Sequence, residues 1–288
     1  MPFFSVLGTM EIQNGNRTLR PLGTMMQTLF ASFLVEGDRI IRGDALTEEL
    51  WGSTPPAKSG NALQAQVSRL RRLLAKAEPD RGALRLTANA SGYRLSVHWA
   101  ELDASTFQHK VDAIRIRSII DPQRDVDDLR EAMALWRGPV FGGLIGGPIC
   151  QTASAKYEES KTAALELLYD VELKADGHTH IIPELTELVR KHPLREQFCS
   201  LLMVALYRSG RQIDALDAYH QLKRLLDEDL GVEPSPMLRS YEQAILSHDP
   251  LLMRPPRGGA RELAGAVGTG TTATRALAER HPRTTISW

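Results

Sequence analysis

Between Lys58 and Lys76 the chain carries amide, hydroxyl and cationic side chains with no carboxylate to oppose them. Asn61 and Gln64 hold amides able to pair bidentately with an adenine edge, and Ala62, Ala65 and Ser68 are small enough to let a backbone approach thymine methyl groups. Lys58, Arg69, Arg71, Arg72 and Lys76 supply charge for phosphates, where each neutralised phosphate releases counterions. Two later arginines, Arg85 and Arg94, lie on runs placed to straddle an adjacent groove. This chemistry reads duplex DNA; a solvated basic helix is the plainer account, and the surrounding elements argue against it.

Those elements are legible from periodicity. Leu63, Val67, Leu70 and Leu74 form one narrow apolar face of a helix over about 59–77, with the polar and cationic groups on the far side. Two shorter helices precede it, from Thr24 (as N-cap) to Val35 and from Asp44 to Trp51, the second ended by Ser53-Thr54-Pro55-Pro56. Leu84–Thr87 and Tyr93–Val97 flank residues 88–92 and predict a β-hairpin with a five-residue tip. At the N-terminus, residues 4–12 read as a strand, Asn14-Gly15-Asn16 as a tight turn and residues 17–22 as the return strand. Helix, helix, longer helix, hairpin is the order of a winged helix-turn-helix.

From Glu101 onward strand signals stop, and helices are expected over 105–120, 127–136, 152–174, 183–192, 194–208, 212–230 and 235–247. Gly177 and Gly210 each close one helix and open the next, 33 residues apart, near the period of a tetratricopeptide array. Leu206, Gly210, Ala215 and Tyr219 stand at the spacings by which such repeats interlock. The expected fold class is therefore an α+β winged helix-turn-helix domain (1–98) followed by an all-α tetratricopeptide-like domain (99–249). Residues 250–288 are rich in Gly, Pro and Thr and are expected to form a flexible tail with a short helix near 273–280.

Other constellations carry less. Gly142-Gly143-Leu144-Ile145-Gly146-Gly147 suggests a phosphate loop but lacks the Lys-Ser/Thr that would complete one, so a flexible connector is the better account. His178, His180 and His192 lack the ligand spacing of a zinc site. Cys150 and Cys199 read as small core residues. Asp125, Asp127 and Asp128 read as the charged start of a helix, and Trp51, Trp99 and Trp136 as core anchors. No metal or other cofactor is expected, and no set of nucleophile, base and ligands points to an enzyme.

Composition agrees with this organisation. The 288 residues balance 35 Lys+Arg against 35 Asp+Glu, yet residues 1–98 carry 12 against 8, residues 99–249 carry 17 against 25, and residues 250–288 carry 6 against 2. No run of 18 apolar residues marks a membrane span, the start lacks a signal-peptide pattern, and two cysteines make no disulfide framework, so the cytoplasm, beside the nucleoid, is the expected location.

The residues also resemble a known family. Gly43-Asp44-Ala45-Leu46-Thr47-Glu48-Glu49-Leu50-Trp51-Gly52, Gln64-Ala65-Gln66-Val67-Ser68-Arg69-Leu70-Arg71-Arg72-Leu73-Leu74 and Ser91-Gly92-Tyr93-Arg94-Leu95 look like the OmpR-type winged helix of Streptomyces antibiotic regulatory proteins. Leu135-Trp136-Arg137-Gly138-Pro139, Leu206-Tyr207-Arg208-Ser209-Gly210-Arg211-Gln212 and Asp229-Leu230-Gly231-Val232-Glu233-Pro234-Ser235-Pro236 are similar to that family's bacterial transcriptional activation domain. Where the family has a capping Ser, this chain has Arg42, leaving either Asp44 to cap or Arg42 to reach phosphate. The resemblance implies an activator of a secondary-metabolite gene cluster that binds promoter DNA at direct repeats near the −35 element as a homodimer. It further implies recruitment of RNA polymerase holoenzyme through sigma region 4. The competing readings are a protein-interaction scaffold and a ligand-responsive regulator, both working through the helical domain.

Overall fold

The computed structural model describes residues 2–117 and 121–253, which form one compact unit. The expected helix near 273–280, the tail beyond residue 253 and the end of the helix expected to reach Ile120 lie outside the described residues.

The N-terminal sheet is β1 (Phe3–Ser5), β2 (Glu11–Asn14) and β3 (Arg17–Leu19), antiparallel in that order. Residues 4–12 are thus two short strands, with Phe4 opposite Ile12, rather than one. The chain leaves the ladder at Val6 and Leu7, both fully buried, because their backbone groups find partners much later in the sequence. Asp103 accepts from Val6 and Leu7 N–H at 2.9 and 3.0 Å, while Phe141 and Arg137 N–H donate to the Val6 and Leu7 carbonyls at 2.8 and 2.7 Å. A short-range reading cannot see partners of that kind.

Three helices follow: α1 (Thr24–Glu36), α2 (Gly43–Trp51) and α3 (Ser59–Ala77). Thr24 lies inside α1, whose N-cap is Gly23 with no side-chain cap. Seven consecutive residues of α1, Thr28 to Leu34, are buried because it is packed against α2 and α3 on one side and the long α7 (Pro148–Lys174) on the other. The wing comprises β4 (Ile41–Arg42), β5 (Leu86–Asn89) and β6 (Gly92–Leu95), in the order β4-β6-β5, with a one-turn helix α4 (Gly82–Arg85) leading in. Its tip closes in two residues rather than five. Asn89 Oδ1 accepts from Ser91 and Gly92 N–H at 3.1 and 3.0 Å, the turn Asn favours. Gly92 is required there, since a Cβ would fall 2.1 Å from the Ile41 carbonyl oxygen.

The second half is all-α: α5 (Asp103–Ile116), α6 (Pro122–Met133), α7, α8 (Ile182–Lys191), α9 (Glu196–Arg208), α10 (Gln212–Leu230), α11 (Pro236–Leu246) and α12 (Pro250–Met253). Asp121, ahead of Pro122, caps α6, accepting from Arg124 N–H at 3.3 Å. Asp125 lies in the first turn of α6, as expected, and pairs with Arg117, which also meets the more exposed Asp128. The tetratricopeptide-like interlock holds: Leu206, Ala215 and Tyr219 are buried, and Gly210 takes φ +75° while Arg211 N–H reaches back to Leu206. Gly231 ends α10 in the left-handed region and Ser235 caps α11, accounting for the Leu-Gly-Val-Glu-Pro-Ser-Pro run. α12 seats Leu252 on α9, so the helical part extends past residue 249.

One hydrophobic core runs from Phe4 to Val171, and a second fills the last hairpins from Tyr169 to Leu252. The expected division at residue 98 is not marked by any gap in packing. Among the described residues no helix is long and apolar enough to cross a membrane.

Candidate nucleic-acid interface

α3 positions the candidate side chains as its sequence pattern requires. Leu63, Val67, Leu70, Leu74 and Ala77 are buried against α1, α2 and the N-terminal sheet. Burying one stripe turns the opposite stripe outward. Lys58, Asn61, Gln64, Ser68, Arg69, Arg72 and Lys76 are all exposed. None of these seven side chains makes a hydrogen bond or ion pair among the described residues. A surface with amides toward its N-terminal end and cations toward its C-terminal end is open along four turns.

The remaining four expected contacts separate into two kinds. Arg71 is half-buried and its Nε donates to the Leu86 carbonyl at 2.8 Å, tying α3 to the wing. Arg85 precedes the wing strands instead of lying within one, and its side chain is only 15% exposed. It is held by Glu78 at 2.5 Å and Glu101 at 2.8 Å, donates to the Ser96 carbonyl at 3.1 Å and lies over the Phe4 ring. Hydrogen bonds donated to Glu101, together with those to Glu78, hold the Arg85 guanidinium well above its ordinary range despite burial. Arg85 is corrected from a phosphate contact to a tie within the fold, because all three of its guanidinium nitrogens are engaged, whereas Arg71 commits only its Nε, to the wing.

Arg42 and Arg94 remain available. Arg42 stands opposite Gly92 in the wing register and Arg94 two residues further along β6, so both face one side of the sheet. Arg42 meets Asp44 at 2.9 Å, with both side chains well exposed, and Arg94 lies 3.8 Å from Asp38. Exposed pairs of this kind contribute roughly 0–1 kcal/mol and exchange partners readily. Arg42 occupies the N-cap position of α2 without a side-chain cap, while the one backbone N–H that Asp44 accepts is its neighbour's, so neither residue replaces a capping Ser.

Sequence reasoning missed Glu49. It is buried in α2, and its carboxylate accepts from the N–H groups of Gly147, Ile149 and Cys150 at 2.9, 2.7 and 3.1 Å. The Gly-rich segment does end in an anion-holding helix start, but the anion is this protein's own carboxylate. The signal was spacing: Glu49 lies three residues after Leu46 and one before Leu50, on the face α2 turns inward. Burial and the neighbouring Glu49 carboxylate push the Cys150 thiol up, consistent with a small core residue. Trp136 packs edge-on to Phe107, whereas Trp99 is half exposed and stacked on His109, 4.4 Å between centroids. Trp99 is therefore corrected from core anchor to surface stack. His178 and His180 lie beside Asp176 and Glu172, and no group of three metal-ligating side chains occurs among the described residues.

Comparison with known proteins places this geometry. The family model of the bacterial transcriptional activator domain matches residues 102–246. The chain is 36% identical over 252 residues to transcriptional regulator RedD of Streptomyces coelicolor, covering 87% of this chain and 72% of RedD. It is 30% identical to regulatory protein DnrI of Streptomyces peucetius, covering 85% of this chain and 92% of DnrI. The structure of Mycobacterium tuberculosis EmbR in complex with a low affinity phosphopeptide superposes with TM-score 0.80 at 29% identity, over 86% of this chain and 65% of that one. With the activator-domain match across its helical half and relatives that continue through the winged half, the chain belongs to the Streptomyces antibiotic regulatory protein family of transcriptional regulators.

Proposed function

We propose that this regulator is a sequence-specific activator of a secondary-metabolite gene cluster, working on nucleoid DNA in the cytoplasm. α3 enters the major groove, Asn61 and Gln64 read base edges, and Arg69, Arg72, Lys58 and Lys76 hold phosphates. Arg42 and Arg94 bring the wing against the neighbouring backbone. Two protomers occupy direct repeats near the −35 element, spaced by about one turn of 10–10.5 bp so that both meet one face of the duplex. The helical domain then recruits RNA polymerase holoenzyme through sigma region 4. One observation carries this reading: seven polar and cationic side chains share one open helix face with no acid among them.

A footprint of the full chain on promoters of the cluster it controls tests it. Protection of two repeats in tandem is expected; no protection at physiological salt would turn the reading toward a protein-interaction scaffold. Arg69→Ala and Arg72→Ala should weaken cognate and random DNA alike and flatten the plot of log affinity against log salt by about 0.9 per lost phosphate contact. Unaltered slopes in a salt titration would remove both residues from the interface. Asn61→Ala or Gln64→Ala should cost about 1–3 kcal/mol at the cognate repeat and little on scrambled DNA. Equal losses on both sequences would refute base reading by these amides.

A further inference from the structure

The contact between Glu49 and α7 does more than satisfy a helix end. α7 has no side-chain cap of its own; Glu49, nearly a hundred residues earlier, supplies the acceptor from inside the winged head. The approach is close: a Cβ on Gly147 would fall 2.5 Å from the Glu49 carbonyl oxygen and 2.6 Å from its Cα. Pro148, the first residue of α7, lines a shallow groove with Thr47, Ser53, Pro55 and Ser59, the segment that leads into α3. α7 runs for 27 residues, about 40 Å at the rise of an α-helix. A tilt of about 10° at its first turn would move its far end by about 7 Å over that helical length. α8 and α9 pack with that far end, and α10 and α11 with α9.

We propose that Glu49 is a positioning residue that latches the reading head to the start of α7 and fixes the bearing of α3 relative to the helical domain. With the two protomers meeting through their helical domains, heads on adjacent repeats are thereby held to one spacing. The inference rests on DNA reading by α3. Glu49 itself lies off the exposed α3 surface, so the latch governs how two heads are arranged and not how tightly one head grips.

The test uses the full chain, its Glu49→Gln variant and its Gly147→Ala variant, which strains the latch while leaving the carboxylate charge in place. Cys150 is adjacent to the latch and fully buried; Cys199 lies in the second core and is nearly so. Native-state iodoacetamide labelling, read by mass spectrometry, therefore separates local opening from unfolding. In both variants the Cys150 rate should rise at least tenfold relative to Cys199. Affinity for a single repeat should stay within about threefold of the parent. Preference for correctly spaced tandem repeats over repeats offset by a few base pairs should fall at least fivefold. An unchanged spacing preference, or equal acceleration of both cysteines, overturns the proposal, the latter by making Glu49 a general stability element. If the parent chain binds no DNA specifically, the reading of α3 fails instead. The latch is then decided by whether the Cys150-to-Cys199 ratio rises in Gly147→Ala.

Discussion

A fragment ending at residue 98 loses cooperative thermal unfolding and with it specific DNA affinity, although it contains every residue of α3 and the wing. The cut removes α5 and α7, against which β1, α1 and α2 are packed, together with α6, which holds those two helices. Phe4, Val6, Leu7, Leu29, Phe30 and Leu34 belong to the core that spans this point. Exposing a large apolar side chain costs about 1.5–3 kcal/mol. A few such losses exceed the roughly 5–15 kcal/mol by which a domain is stable. Polar ties are lost together with the apolar ones. Asp103 no longer holds Val6 and Leu7, and Arg137 no longer pairs with buried Glu11. Circular dichroism melting and a gel shift, run beside the full chain, check this. A fragment that melts cooperatively and binds the repeat as tightly as the parent would mean the winged head stands alone.

Arg85→Ala lowers stability by about 3–5 kcal/mol, the usual consequence of removing one partner from a buried ionic cluster. Glu78 and Glu101 are 17% and 6% exposed and would face each other without their shared cation. Arg72→Ala, on the open face of the neighbouring α3, should leave the denaturation midpoint where it is. Urea titration of the two variants side by side makes the comparison. An Arg85→Ala protein with unchanged midpoint and weakened DNA binding would return Arg85 to the interface. The cluster also has a pH signature. Burial pushes the Glu101 carboxyl up, but hydrogen bonds from Arg85 and the His98 N–H outweigh it and hold the group below its ordinary 4.5. A carboxyl depressed in the folded state stabilises above its unfolded value, and that contribution is lost as pH falls through the folded one. The parent should therefore lose part of its stability below pH 4.5, and Arg85→Ala should lose less over the same range.

Much of the architecture was legible because its signals are local. α3 and α10 span the residues their periodicity predicts, and Gly210 and Gly231 end helices where expected. The open face of α3 was legible for the same reason: burying one helical stripe exposes the other. What failed depended on partners distant in sequence. Residues 4–12 look like one strand unless one knows that Asp103, Arg137 and Phe141 draw Val6 and Leu7 out of the ladder. Arg71 and Arg85 carry the same charge as Arg69 and Arg72, and only their acceptors, Leu86, Glu78 and Glu101, distinguish a tie from a free cation. Glu49 was visible as an acid on an apolar face, but the helix start it serves lies nearly a hundred residues away. The five-residue tip that the sequence predicts is too wide because small residues in a row do not reveal that Asn89 closes the turn itself.

α9 has ten consecutive buried residues, Phe198 to Tyr207, and is in contact with α7, α8, α10, α11 and α12. A helix with no wet side offers solvent no place from which to peel it. Its amide hydrogens can exchange only when the whole lobe opens, which makes this segment the slowest-exchanging part of the C-terminal half and the last to survive in any partly unfolded form.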